Sequence, residues 1–369
     1  MRIVLKLGTS TLTHPTGNLN IRRVEELCKV CSDLKNAGHE LVLVSSGAVA
    51  MGVGKLSLAE RPKDIPGKQA AAAVGQCELM YIYDKLYSQY HHVVAQLLIT
   101  ADDIETPERA QNFQNTLTRL LQLGTLPIIN ENDTVATQEL GIGDNDTLAA
   151  LVSCLVSADL CVTLSDIDGL YTANPHEDPT AEFVPVVHKI DAKIIASAGD
   201  SSTSVGTGGM ITKIRASRIL MTAGIQSVIC SGEEPDALVR LARGESVGTL
   251  FDPPAERLDI APRKLWIALG DKAHGSVTVD AGAAKALVSR GSSLLAVGIR
   301  EVDGAFAEGD VLDVCDPSGM VVARGIAEAD SDVLELAAGR RQDQIVSNRL
   351  LEDLAEKPAI HRDNLIVFA

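Results

Sequence analysis

Six apolar runs punctuate the first two-thirds of the chain, and between several of them the apolar residues change to helical spacing. The runs are 3-IVLKL, 41-LVLVS, 93-VVAQLLI, 126-LPIIN, 160-LCVTLS and 226-QSVIC. In the clearest intervening helix pattern, Ile21, Val24, Leu27, Cys28, Cys31 and Leu34 fall on one face, and Gly38 stands where it should stop. A strand–helix–strand rhythm of this kind predicts an α/β fold, an open and largely parallel sheet with helices on both faces. Aromatics make up only 3% of the 369 residues, so the core must be built from Val, Ile, Leu and Ala, which suits parallel strands buried on both sides. Around 251-FDPPAERLDIAPR the texture turns to proline and mixed charge. This sets a first domain at 1–252, a linker at 253–263 and a second domain with a C-terminal tail at 264–369. The second domain reads as small and β-rich, from 276-SVTVD, 294-LLAVGI, 311-VLDV and 320-MVVARGI between Gly- and Asp-rich turns.

The net charge of −16 opposes non-specific binding to nucleic acid or to an anionic membrane. An anionic substrate would therefore need local lysines to overcome that field. The start, 1-MRIVLKLGTS, lacks the pattern of a signal peptide, and no apolar run has the length of a membrane span. Seven scattered cysteines, an odd number, read as reduced thiols of a cytoplasmic protein.

Ligands of open parallel sheets bind beyond the carboxyl ends of the strands. Four of the runs end there in polar segments: Lys6-Leu7-Gly8-Thr9-Ser10, Ser45-Ser46-Gly47, Asn130-Glu131-Asn132-Asp133 and Ser165-Asp166-Ile167-Asp168-Gly169. Any one of them is ordinary turn chemistry, but four on one edge mark a site. Lys6 is costly inside a doubly covered strand unless it meets an anion, although its stem could also reach solvent from the strand end. Gly8 beside it lets backbone N–H groups approach a ligand. In 141-GIGDNDTLAALVSCLV, Asp144, Asn145 and Asp146 precede a strong helix pattern. Capping the helix needs only one of them, which leaves Asp146 to orient lysines and Asn145 to hold a polar substrate group.

The stretch 201-SSTSVGTGGMITK has the glycines, hydroxyls and lysine of a phosphate loop, but Thr212 rather than Gly precedes Lys213, so it is no Walker loop. Thr207, Gly208 and Gly209 instead open a helix whose free N–H groups and dipole attract phosphate. Lys213 lies four residues on, about 6 Å along the axis, and leans back toward that terminus. Three other patterns carry no chemistry. Cys28 and Cys31 form CxxC on an apolar helix face, 244-GESVG leads into a strand rather than a helix, and 166-DIDG lacks the remaining ligands of a calcium loop.

Taken in order, 5-LKLGTS, 44-VSSGA, 129-INENDTVAT, 141-GIGDND, 165-SDIDGLYTANP and 206-GTGGMITK resemble the amino acid kinase family, and within it the glutamate 5-kinases, nearly end to end. The region 264–345 resembles the PUA-type domain appended to many of them. The resemblance implies an αβα sandwich and transfer of the ATP γ-phosphoryl to the side-chain carboxylate of L-glutamate, the first step of proline biosynthesis, with Mg²⁺ accompanying ATP and no metal ligands assigned to the protein. It implies catalytic roles for Lys6, Lys213 and Asp146, and glutamate binding by Ser46, Asp133 and Asn145. On the nucleotide side it implies Lys6, Gly8, Ser165, Asp166 and the loop Thr207, Gly208, Gly209, Met210, Ile211, Thr212 and Lys213. Some members carry Thr where Ser165 stands, a change that keeps the hydroxyl. A homo-oligomer and proline as feedback inhibitor are further implications. A carboxylate nucleophile needs no general base at neutral pH, in keeping with the lack of a plausible catalytic histidine.

Two rivals stand beside this reading. One is another amino acid kinase acting on N-acetylglutamate, aspartate or carbamate, against which NEND together with GDND favours free glutamate. The other is RNA binding through the C-terminal domain. Residues 264–345 hold eight Lys/Arg against thirteen Asp/Glu, a local net of −5, which disfavours a polyanion.

Overall fold

The computed structural model describes all residues except 15, 17, 137–143, 176, 199–208, 255–263, 265, 266, 269–272, 355 and 369. The chain divides into two compact units, Met1–Leu258 and Asp259–Ala369.

All six apolar runs of the first unit are strands: β1 Arg2–Leu7, β2 Glu40–Ser45, β3 Val94–Ile99, β4 Leu126–Glu131, β5 Leu160–Ser165 and, after three two-residue strands, β9 Gln226–Ser231. The short ones are β6 Leu170–Tyr171, β7 Phe183–Val184 and β8 Val186–Val187, and Thr249–Phe251 forms β10. Eight of these make one sheet in the order β3-β4-β2-β1-β5-β9-β10-β8, parallel except where β10 runs against β9. The strands β6 and β7 form a separate antiparallel ribbon. In β1, β2 and β4 five of six residues are buried without alternation, because helices cover both faces. At the edge, β3 alternates instead, with Leu97 and Ile99 buried and Gln96 and Leu98 exposed.

Ten helices are described in this unit: α1 Thr9–Leu12, α2 Ile21–Asn36, α3 Ala48–Lys55, α4 Ile65–Ser88, α5 Ala101–Glu105, α6 Pro107–Gln122, α7 Asn145–Leu155, α8 Ala192–Ser197, α9 Met210–Thr222 and α10 Ala237–Ala242. The Asn20 side chain caps α2 by accepting from the Arg23 N–H, and Gly38 takes the left-handed conformation just past its end. The apolar face of α2 is buried as its spacing requires, except for Ile21. As the first helical residue it lies at the rim of the helix layer and is 61% exposed. Helices α3 and α4 touch backbone to backbone. A Cβ on Gly52 would sit 1.8 Å from the Ala71 carbonyl oxygen, and one on Gly75 would sit 1.8 Å from that of Ala48. From α4, Tyr83 and Tyr87 enter the core with Leu5, Leu43, Ile128 and Val162 of the strands.

The second unit holds a five-stranded sheet of β11 Gly275–Val279, β12 Ile299–Asp303, β13 Val311–Cys315, β14 Val321–Ile326 and β15 Leu365–Val367, in the order β12-β11-β13-β14-β15. Helices α11 Ala281–Arg290, α12 Ser331–Ala337 and α13 Gln342–Val346 accompany it. The run 294-LLAVGI is not a strand over its length. Ala296–Gly298 is a 3₁₀ turn, and the strand begins at Ile299. The chain must turn there because Gly298 passes directly under α11, where a Cβ would lie 2.6 Å from that of Ala283. The terminal segment belongs to this unit, since β15 pairs antiparallel with β14. Among the described residues no helix is long and apolar enough to cross a membrane, and all seven cysteines are free.

Candidate active site

Parallel pairing sets the carboxyl ends of β4, β2, β1 and β5 side by side. Leu7 is in register with Ser45 on one side and with Leu164 on the other. The polar segments that follow these strands therefore share one edge, and two helix N-termini, those of α7 and α9, face it with their charged residues.

At α7 the division of labour among three polar residues is explicit. The Asp144 side chain accepts from the Thr147 N–H at 2.8 Å and caps the helix. That frees Asn145 and Asp146, in the first turn, for contacts across the sheet edge. Asp146 is 1% exposed and meets both lysines: Lys6 Nζ lies 2.7 Å from its Oδ1, and Lys213 Nζ lies 3.2 Å from its Oδ2. Thr212 Oγ1 donates toward the same Oδ2 at 3.1 Å and lies 2.8 Å from the Gly209 carbonyl. Burial alone would raise the Asp146 pKa, but the two ammoniums together hold it below the ordinary carboxylate value. Asp144 is raised instead, by partial burial and by the neighbouring Asp146 charge. Two lysines on one carboxylate leave one positive charge in excess, inside a chain of net charge −16. Each ammonium has three donors and spends only part of them on Asp146, so the remainder can receive an oxyanion.

Beside this triad runs a chain of side-chain amides. Asn145 Nδ2 donates to Ser46 Oγ at 2.7 Å and to Asn130 Oδ1 at 3.1 Å. Asn130 Nδ2 in turn donates to Gln76 Oε1 of α4 at 2.9 Å. Asn130 belongs to the strand-end segment read from the sequence, though without a role of its own, whereas Gln76 is a site residue that strand-end reasoning did not reach. The available signal for Gln76 was its place between Ala72 and Leu79, which puts an amide on a buried helical stripe. Asp133 follows β4 and, among the described residues, makes no side-chain hydrogen bond or ion pair. Burial raises its pKa, against the pull of Arg61.

Of the nucleotide-side residues, Ser165, Asp166, Gly209, Met210 and Lys213 line a cleft of about 480 Å³, with Gly169 among its other walls, whereas Lys6 and Gly8 do not line it. Ser165 Oγ donates to Asp166 Oδ1 at 3.0 Å. Gly209 is the N-cap of α9 and has no side chain to cap it, and among the described residues no other side chain caps this terminus, whose first N–H groups lack helical partners. Ile211 and Thr212 do not line the cleft, and Thr212 turns to Asp146 instead. Gly8 adjoins Lys6, whose Nζ is 3.8 Å from where a Cβ would stand. Thr207 and Gly208 lie outside the described residues. Cys28 and Cys31 are core residues, and burial pushes the Cys31 thiol up to about 12. Among the described residues no group of three or more His, Cys, Asp or Glu is placed to hold a metal ion.

Residues 1–231 match the amino acid kinase family and residues 275–347 match the PUA domain. The chain is 46% identical to a glutamate 5-kinase of Caldanaerobacter subterraneus subsp. tengcongensis over 367 residues, covering 100% of this chain and 98% of that protein. It is also 46% identical to a glutamate 5-kinase of Carboxydothermus hydrogenoformans, covering 99% of this chain and 97% of that protein. Among solved structures, carbamate kinase from Giardia lamblia bound to AMP-PNP superposes with a TM-score of 0.51 at 16% identity, over 69% of this chain and 98% of that one, a likeness of fold. With a family match over most of its first unit and relatives aligned from end to end, the chain belongs to the glutamate 5-kinases of the amino acid kinase family.

Proposed function

We propose that this chain transfers the γ-phosphoryl group of ATP to the side-chain carboxylate of L-glutamate, giving glutamyl 5-phosphate and ADP, the entry reaction of proline biosynthesis. The observation that supports it most is the pair of ammoniums seated on the two oxygens of Asp146, where the nucleotide cleft meets the strand ends. A carboxylate attacking a triphosphate brings two anions together, so positioning and positive charge are the main requirements. In this reading Asp146 fixes where Lys6 and Lys213 stand, and their remaining donors hold the transferring phosphoryl group as the new O–P bond forms and the bond to ADP breaks. Gly209 and the open N–H groups of α9 receive the phosphates, while Ser165 and Asp166 face the nucleotide. Ser46, Asn145 and Asp133 hold glutamate.

Mg²⁺ carried by ATP would neutralise part of the phosphate charge. The free thiols fit a cytoplasmic setting.

An ATP-dependent hydroxamate assay tests the reading directly. Glutamate should be turned over in strong preference to N-acetylglutamate, aspartate and carbamate, and equal or better use of any of those would overturn it. Repeating the assay with proline tests end-product control, and its dependence on protein concentration tests assembly. Both properties rest on the family resemblance alone.

A further inference from the structure

We infer that Gln76, in the middle of α4, sets the donor and acceptor polarity of the glutamate subsite and thereby its preference for a free amino group. The inference rests on the functional reading above and assigns a positioning role to a residue outside the strand-end segments.

The direction of hydrogen bonding passes from residue to residue. Gln76 presents Oε1 to Asn130, so Asn130 must turn its NH₂ group toward α4 and its Oδ1 toward Asn145. Asn145 answers with its own NH₂ group, whose two hydrogens go to Asn130 Oδ1 and Ser46 Oγ. The Asn145 carboxamide oxygen is then left without a protein donor among the described residues. Ser46, having accepted one bond, keeps its O–H to donate. An acceptor and a donor are thus displayed next to each other, with the carboxylate of Asp133, which has no side-chain hydrogen bond among the described residues, on the neighbouring segment. An amino acid suits that display, with its ammonium toward the Asn145 oxygen and a carboxylate toward the Ser46 hydroxyl. Were Gln76 to donate instead, Asn130 would turn over and occupy the Asn145 oxygen, leaving an N–H where the ammonium needs an acceptor.

A second observation separates this role from packing. Gln76 is 8% exposed, and its Nε2 is buried with no hydrogen-bond partner. A methionine of similar length would fill the same space and remove the unpaired Nε2, but it would leave the buried Asn130 NH₂ group without its acceptor, so the value of glutamine here lies in its oxygen. The anchor is also stiff. Helix α4 is locked to α3 through Gly75 and Gly52, and two turns further on Tyr83 OH meets Ser45 Oγ at 2.9 Å, next to Ser46. One helix therefore steadies the ends of both β2 and β4.

Steady-state kinetics on the full chain carrying Gln76→Met tests the inference. The KM for glutamate should rise about 10- to 100-fold, while the KM for ATP and kcat at saturation stay within about 3-fold, the pattern of lost ground-state binding. Glutarate, which lacks the ammonium, should inhibit both proteins with Ki values within about 3-fold of each other. Gln76→Glu, which keeps an acceptor atom in either protonation state, should recover most of the glutamate affinity. Gln76→Leu, an apolar side chain of another shape, carries the expectation of the methionine variant should that one fail to fold. An unchanged KM for glutamate, or an equal loss for glutamate and glutarate, would overturn the inference. Failure of the unsubstituted chain to phosphorylate glutamate would instead overturn the functional reading beneath it.

Discussion

Asp146→Asn would leave the Lys6 and Lys213 ammoniums, each less than a tenth exposed, without their shared anion. Breaking a buried ion pair from one side costs about 3–5 kcal/mol, and urea unfolding of the variant should show a loss of that order. ATP should restore stability to the variant more than to the parent, because its phosphates replace the missing anion. The pH dependence follows from the same carboxylate. Its folded pKa is depressed, so its stabilising contribution is present above the unfolded value and is lost as pH falls through the folded one. Asp133 behaves oppositely, since burial raises it above 3.8. If its charged form holds the ammonium of glutamate, kcat/KM for glutamate should rise with pH through that elevated value, and Asp133→Asn should flatten the acid limb. The charged residues of this site were legible in the sequence because a lysine in a buried strand or an aspartate in a helix opening demands a partner. Gln76 was not, because an uncharged amide is compatible with a helix face, and the pairing of Asn130, visible only as part of a strand-end segment, appears only in three dimensions.

At the scale of elements, the six long strands were readable because a doubly covered strand is a continuous apolar run and the intervening helices alternate with it. Short strands carry too few residues for a period, which is why β15 escaped notice and why 294-LLAVGI could be mistaken for a strand. Its apolar residues suit either conformation, and only the approach of α11 to Gly298 decides for the turn. The contact of α3 with α4 makes a prediction at this level. Gly52→Ala or Gly75→Ala places a methyl group 1.8 Å from a carbonyl oxygen, so the helices must separate. Overpacking of this kind costs about 1–3 kcal/mol or more, readable as a lower thermal midpoint. Because α3 starts just after Ser46 and α4 carries Gln76, the same variants should bind glutamate more weakly than ATP.

For the whole molecule, every described residue of the candidate site lies within Met1–Leu258. A fragment ending at Leu258 should therefore keep ATP-dependent phosphorylation of glutamate, measured by ADP release, and loss of that activity in a folded fragment would show that the second unit takes part. The division at Leu258 falls within 251-FDPPAERLDIAPR, where the sequence changes to proline and mixed charge. The net charge of −16 repels both substrates at long range, so capture of two anions falls to the local cation pair on Asp146. That pair is the centre of the proposed chemistry, and Lys213→Ala examines it most directly by steady-state kinetics. In that variant kcat should fall by about 10²-fold or more while the KM for glutamate changes only a few-fold, as for a group that acts on the transferring phosphoryl. A variant that keeps its kcat and shows only a raised KM for glutamate would contradict it.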